Sequence, residues 1–225
     1  MKRRECSGGL AVAVLWQFWP IDAAALAESE AAQGVRAALE RGALAAVSLL
    51  GRTDGFLGNP RVRIALPGAL EQVARLLRAT GQGRYVDELQ TAMNRAAETA
   101  LPEARSLLVS TIKAVTVEDA LAIVRGGGTS VTEFFERKTR APLTAKFLPI
   151  VTRATEKAKL AERYNALAGK AAGLGLVKDD ESSLQRYVTS KALDGLYLTI
   201  GDEEKKIRAD PVATGSAILR KVFGR

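Results

Sequence analysis

Four polar side chains recur at helical spacing in the first half of the chain, and we treat them as the candidate ligand-binding site. They are Asp87, Thr91, Asn94 and Glu98. Steps of four, three and four residues place them in one row along a helix, opposite an apolar stripe within residues 85–96. A solvated helix face is the usual reason for such a row. The alternative is a polar groove or a cation site, to which Asp87, Asn94 and Glu98 would supply oxygen atoms.

Two missing residue types narrow the chemistry that the chain can perform. The sequence contains no His, and its single Cys, Cys6, lies in an N-terminal segment that we expect to be removed. Imidazole bases, histidine-ligated metals, thiolate nucleophiles and iron–sulfur clusters are therefore excluded from the mature chain. The glycine run at residues 126–128 lacks the Lys and Ser or Thr of a phosphate-binding loop, so it predicts a break between helices. Carboxylate chemistry, a Ser–Lys pair and an oxygen-ligated divalent cation stay open, and neither a cofactor nor a definite metal site is assigned.

The first 27 residues have the three-part layout of a secretory signal peptide. Basic residues 2–4 precede an apolar run at residues 10–19, and the small-residue site Ala25-Leu26-Ala27 follows. The apolar run is too short to span a bilayer. We therefore predict export to the periplasm, cleavage after Ala27 and a mature domain of residues 28–225. Cleavage removes three basic and two acidic residues, which changes the net charge from +8 to about +7.

Composition and periodicity indicate an all-α fold for the mature chain. Hydrophobic residues make up 47% of the sequence but aromatic residues only 5%, which favours helices packed through Leu, Val, Ile and Ala over a sandwich or barrel. Helical periodicity recurs between Gly and Pro breaks, with capping-box-like starts at Thr116 and Ser130. The sequence contains neither an internal repeat nor a low-complexity linker. We predict a single-domain bundle of about nine helices, including residues 143–158, 160–172 and 211–223.

A two-residue period occurs in one stretch, near residues 53–66. Apolar residues alternate with polar or small ones at residues 61–66, after a turn-rich segment of Gly, Asn, Asp and Pro at residues 51–60. The pattern favours one short β-hairpin, in which residues 53–57 would pair with the alternating stretch.

Basic residues crowd the stretch between residues 137 and 163, with glutamates interleaved among them. The interleaving predicts a mixed, solvated helical surface. Nucleic-acid binding would need a basic face with stacking aromatics, and export disfavours it further, so nucleic acid is not expected as a partner. Anionic lipid headgroups suit such a surface better, through peripheral membrane contact at most.

The last predicted helix, at residues 211–223, carries a short apolar stripe bordered by basic residues. A helix of this kind can close a core or lie on an anionic membrane. Core packing is favoured because the stripe is short and Gly215 weakens the helix.

Nine short segments, spread in order over the mature chain, carry a resemblance to a known family. They are residues 54–60 (DGFLGNP), 64–67 (IALP), 93–98 (MNRAAE), 116–120 (TVEDA), 132–135 (TEFF), 187–188 (YV), 191–196 (KALDGL), 203–208 (EEKKIR) and 222–224 (VFG). In these segments the chain resembles the bacterial domain-of-unknown-function family numbered 4197. The resemblance implies an exported helical domain, and it carries over no activity and no catalytic residue.

The sequence thus leaves three classes of function open. We expect a non-catalytic envelope protein that binds a hydrophobic or anionic partner through a helix-lined groove. The partner would be a small hydrophobic ligand, a lipid or an envelope protein. The second class is a hydrolase that uses Asp87, Glu98 or Asp194 with a divalent cation, and the third is a structural adaptor.

Overall fold

The structure is a computed structural model, and it describes residues 23–125, 130–157, 159, 162 and 181–210. These residues are mostly helical and include no strand, so the all-α prediction is confirmed for the described part of the chain. The α-helices are α1 (Ala23–Leu50), α2 (Gly68–Ala79), α3 (Gly83–Ala100), α4 (Ala104–Lys113), α5 (Val117–Arg125), α6 (Ser130–Lys157) and α7 (Glu181–Ala209). A 3₁₀ turn, Leu101–Glu103, joins α3 to α4. Within the described ranges, we find no helix with the length and hydrophobicity that crossing a bilayer requires.

One continuous buried cluster joins all of these helices. Within this cluster, helix α7 packs against α6, α1 and α3. Small residues let the helices come close together: a Cβ on Gly42 of α1 would lie 3.5 Å from the Cβ of Glu203 in α7. The core is therefore built from aliphatic side chains and close helix contacts, with a few phenylalanines such as Phe135 and Phe147.

Helix α6 continues without a break through Pro142 and Pro149. Both prolines are exposed, so water can reach the carbonyl groups that they leave without a helical partner. Apart from Phe134, the buried residues recur at every fourth position; they are Val131, Phe135, Thr139, Leu143, Phe147, Val151 and Thr155. Since four residues turn a helix by roughly 400°, the buried stripe advances about 40° at each step and winds around α6. The stripe thereby reaches several neighbours, α7, α3 and α4 among them. Residues 143–157, expected to form a helix of their own, are the second half of α6.

Helix α5 begins with the predicted capping box. The hydroxyl of Thr116 accepts the backbone N–H of Asp119 at 3.1 Å, and the Asp119 carboxylate accepts the backbone N–H of Thr116 at 3.3 Å. Asp119 therefore bonds the N-cap backbone N–H as the usual Glu of a capping box does.

The short β-hairpin predicted near residues 53–66 is not formed. Residues 51–62 are mostly turns and bends, and residues 63–67 have no regular structure. The alternation that suggested a strand does exist in the burial pattern, because Val62, Ile64 and Leu66 are buried and the residues between them are exposed. The backbone of this stretch bonds to side chains of helices in place of a second strand.

Parts of three predictions lie outside the described residues. They are the first two sections of the signal peptide, nearly all of the helix at residues 160–172, and the terminal helix at residues 211–223. The expected cleavage site after Ala27 falls inside α1, which begins at Ala23.

Candidate functional site

The candidate row on α3 divides into an exposed half and a buried half. Asp87 is exposed, and its carboxylate lies 3.4 Å from the guanidinium of Arg78. Thr91 is half-buried. Asn94 and Glu98, by contrast, are 0% and 4% exposed. The four side chains do not share one solvent-facing surface, and a ligand role for the row as a whole stays a prediction.

Small residues explain why the second half of α3 is covered. Ala96, Ala97 and Ala100 are all buried, and short side chains allow a neighbouring segment to come close to a helix. That segment is residues 51–67, which connect α1 to α2 and which we call the connecting loop. Asn94 and Glu98 face this loop and not bulk water.

The side chain of Asn94 bonds the backbone of the connecting loop in the way that a neighbouring β-strand would. Its side-chain oxygen accepts the backbone N–H of Ile64 at 2.8 Å, and its amide nitrogen donates to the carbonyl of Ile64 at 2.9 Å. The same nitrogen also donates to the carbonyl of Gln90 at 2.8 Å. One buried amide therefore satisfies both polar backbone groups of a buried residue, as a ladder partner would in a sheet.

Glu98 holds the first turn of the loop. One carboxylate oxygen accepts the backbone N–H groups of Phe56 and Leu57 at 3.0 and 3.1 Å. The other accepts a bond from Arg95 at 2.6 Å, and the guanidinium of Arg95 also reaches the carboxylate of Asp54 at 2.7 Å. Both oxygens of Glu98 are thus bound to N–H groups, which leaves them poorly placed to ligate a cation.

Helix α7 holds the opposite side of the loop. Phe56 is fully buried against Gly195, where a Cβ would lie only 2.7 Å from the Phe56 ring. The hydroxyl of Tyr187 donates to the carbonyl of Ala65 at 3.1 Å, and Arg61 forms a salt bridge with Asp202. The segments at residues 54–60, 93–98 and 191–196 therefore meet in one structural junction.

An open cleft borders this junction on the side of α1. Its volume is about 470 Å³, which is within the range of small-molecule pockets. The last turns of α1, the start of the connecting loop and the start of α4 surround it. Its lining residues are Leu44, Val47, Ser48, Gly51, Arg52, Pro102 and Arg105.

Two arginines and an apolar floor give the cleft its chemical character. Leu44, Val47 and Pro102 supply apolar surface, while Arg52 and Arg105 are exposed. In the part of the chain that the structure describes, neither arginine forms a salt bridge with an acidic side chain. The N–H donors of both guanidinium groups are therefore available to bind an anion. The apolar surface beside them can contact a hydrocarbon chain.

The comparison with known families covers almost the whole chain. A family model described as "Protein of unknown function (DUF4197)" matches residues 25–224. The chain belongs to the DUF4197 family. This confirms the resemblance found in the sequence motifs, and the family description names no activity. No curated protein and no solved structure matches the chain.

The acidic side chains proposed for catalysis lie in structural contacts in this DUF4197 chain. Asp194 accepts bonds from Arg140 at 2.8 Å and from Lys191 at 3.1 Å. Glu98 is held as described above, and Asp87 faces solvent beside Arg78. Across the described ranges, no three acidic side chains are grouped closely enough to hold a metal ion.

Glu204 of α7 is a buried acid that the sequence analysis did not select. Burial raises the pKa of its carboxyl, and the bond from Arg208 at 2.9 Å opposes the shift. The backbone N–H groups of Val131 and Thr132 oppose the rise of this pKa as well, and the hydroxyl of Thr132 lies 3.5 Å from the carboxylate. Glu204 therefore caps the first turn of α6, where N–H groups have no helical partner and the helix dipole favours an anion.

Sequence reasoning missed the cleft because its two arginines are 53 positions apart and follow no shared period. Arg52 stands in a turn-rich segment and Arg105 near the start of a helix, where single exposed arginines are common. Only the packing of α4 beside the end of α1 brings them to one cleft.

Proposed function

We propose that this DUF4197 chain is a non-catalytic exported protein that binds an anionic amphiphile in the cleft between α1 and α4. The ligand class is a fatty acid or another small lipid with one acidic headgroup. The observation that carries the proposal is the placement of Arg52 and Arg105 beside an apolar floor, without an acidic partner in the described residues.

The two parts of the ligand would be recognised by different forces. An arginine bonds a carboxylate or phosphate through two parallel N–H donors, which fixes the headgroup in direction as well as position. Leu44, Val47 and Pro102 would take acyl surface out of water, with a gain of about 25 cal/mol for each Å² that is buried. A ligand with only one of these parts would leave the other part of the cleft unused.

The geometry supports binding over hydrolysis for a second reason. Two of the carboxylates that a hydrolase would use, those of Glu98 and Asp194, are already bonded to arginine, lysine or backbone N–H groups. Asp87 lies on a solvent-facing turn of α3 next to Arg78. A general acid or base needs to reach the substrate, and the cleft lining contains no acidic side chain.

The proposal also includes where the protein is located and how many helices it has. We propose a periplasmic protein whose signal peptide is cleaved after Ala27, and a bundle of about nine helices. The count includes residues 160–172 and 211–223 as helices beyond the described core. An exported protein would meet the lipids that the cleft is suited to bind.

Titration with a fluorescent long-chain fatty acid tests the cleft. The double variant Arg52→Gln and Arg105→Gln removes both cationic groups while it keeps polar side chains of similar length. We expect saturable binding to the wild type, and a dissociation constant that rises by about tenfold or more for each arginine lost, as for charge-assisted hydrogen bonds.

The matched control is the pair Arg75→Gln and Arg84→Gln on α2 and α3, which changes the net charge equally at exposed positions. This control should bind like the wild type. Equal binding by the cleft variant and the wild type would contradict the assignment of the site. Absence of saturable binding by the wild type to fatty acids and lysophospholipids alike would contradict the ligand class.

A further inference from the structure

The outer face of α6 carries a row of basic side chains that the cleft does not use. Lys138, Lys146, Arg153 and Lys157 are all exposed. Their separations of eight, seven and four residues keep them within about 100° of arc and spread them over about 28 Å of helix. At the C-terminal end of the row, Val151 and Thr155 lie across the helix from Arg153 and Lys157 and face the core, whereas at its N-terminal end the buried stripe crosses the same arc at Phe135 and Thr139.

These cations have no acidic partner on the described surface, whereas several other cations do. Arg61, Arg78, Arg95, Arg140 and Lys191 each form a salt bridge. Across the described ranges, none of the four cations on the outer face of α6 does so.

A single acid, Glu156, lies on the same arc among the described residues. Glu136, which precedes the row, is bound to Arg140. The net charge of this face is therefore positive, and its cations keep their charge free for an external anion.

We propose that the outer face of α6 docks on the surface of an anionic lipid bilayer. Small and ring-shaped residues separate the cations, with Ala141, Pro142, Ala145 and Pro149 all exposed between them. Because none of these side chains is long, the C-terminal half of α6 can bring Lys146, Arg153 and Lys157 to the headgroups, with Lys138 at the edge of the contact. The apolar side chains of α6 belong to the core, so the contact is electrostatic and peripheral, without insertion.

A membrane surface fits this face better than a nucleic acid does. Proteins that grip nucleic acids typically neutralise about six to ten phosphates, and single-strand binders add stacked aromatics. This face has four cations, and Phe134, Phe135 and Phe147 of α6 are buried. A row of four charges on a rigid helix suits a plane of negative charge.

Flotation with lipid vesicles tests the proposal on the whole chain. We expect binding to vesicles of phosphatidylcholine with about one-third phosphatidylglycerol at low salt, and loss of binding in about 0.5 M NaCl, where the Debye length is only a few ångströms. Each cation in such a row contributes about fivefold to the partition coefficient. The variant Lys146→Gln with Arg153→Gln should therefore lower it by more than about tenfold.

Two control variants separate this inference from the proposed ligand site. Arg75→Gln with Lys113→Gln removes the same charge at exposed positions of α2 and α4 and should leave vesicle binding within about twofold of the wild type. The cleft variant Arg52→Gln with Arg105→Gln should also keep vesicle binding, while the α6 variant should keep fatty-acid binding.

Four results with vesicles alone would overturn the docking face. These are equal binding to pure phosphatidylcholine, binding that persists in high salt, unchanged binding by the α6 variant, and loss of vesicle binding in the cleft variant. Complete displacement of the protein from vesicles by an equal charge of duplex DNA would favour nucleic acid and would likewise overturn it.

Discussion

Asn94 and Glu98 stabilise the connecting loop by bonding backbone groups that are shielded from water. The groups are the N–H and carbonyl of Ile64 and the N–H groups of Phe56 and Leu57. Unsatisfied buried polar groups are costly, so these two side chains hold the loop in one position. The loop in turn forms one wall of the cleft through Gly51 and Arg52.

Replacing Asn94 with alanine should destabilise the protein far more than an exposed replacement on the same helix. The change leaves the N–H and carbonyl of Ile64 without partners, which costs about 2–4 kcal/mol in free energy of unfolding. Urea denaturation monitored by circular dichroism measures this cost. The control Asp87→Ala, at an exposed position, should lose less than about 0.5 kcal/mol.

Equal losses for the two variants would mean that the amide of Asn94 does not hold the loop.

A separate experiment tests the cation hypothesis for the row. A melting temperature that rises with calcium or magnesium in the wild type, and no longer does so in Glu98→Gln, would support that hypothesis.

The sequence predicted which positions of α3 form the row, but not which of them are covered. The spacing of Asp87, Asn94 and Glu98 follows from helix geometry alone. Burial of the last two depends on a loop 30 or more positions away and on three alanines, whose weak hydrophobicity marks neither face clearly. The same side chains explain the absent hairpin, because an amide on a helix occupies the bonds that a partner strand would have formed.

At the scale of elements, prolines and glycines inside helices have roles that their helix propensities do not indicate. Pro142 suggests a break before the helix expected at residues 143–158, yet α6 continues through it and through Pro149, since both prolines occupy exposed positions and the buried stripe continues past them. Gly195 lies in the middle of α7, where glycine normally weakens a helix. Its role became visible only with Phe56 in place, since the ring occupies the space of a side chain.

Two glycine-to-alanine changes in helix interiors should therefore have opposite effects. Gly195→Ala places a methyl group 2.7 Å from the Phe56 ring and 3.3 Å from Val62, so we expect a loss of about 1–3 kcal/mol from overpacking. Gly42→Ala meets its nearest neighbour at 3.5 Å, and its better helix propensity should stabilise the protein by up to about 1 kcal/mol. Thermal denaturation of both variants provides the comparison. A stabilising Gly195→Ala would show that α7 and the loop are not packed as described.

At the scale of the whole molecule, the proposed export would decide which partners the chain can meet. We predict that the periplasmic form begins at Glu28, because cleavage after Ala27 follows the small-residue rule of signal peptidases. Sequencing the N-terminus of the protein recovered from the periplasmic fraction tests whether the chain begins at Glu28. A full-length chain that begins at Met1 in the cytosol would refute export and restore nucleic acid as a candidate partner for the basic surface.

The fold class followed from composition and periodicity, whereas the proposed binding surface did not. Leucine, valine and alanine at helical spacing are sufficient to indicate a helical bundle. A cleft depends on where two helix ends meet, and no local pattern records that. Arg52 and Arg105 come to line one cleft only once α4 packs on α1.

Native mass spectrometry of the protein purified without detergent from the cells that produce it tests the central claim most directly. We predict a bound amphiphile of a few hundred daltons with an acidic headgroup on the wild type, matching a cleft of about 470 Å³. The adduct should be absent from the Arg52→Gln, Arg105→Gln variant and present on the Arg75→Gln, Arg84→Gln control. A wild-type spectrum without any adduct, or the same adduct on the cleft variant, would contradict the account.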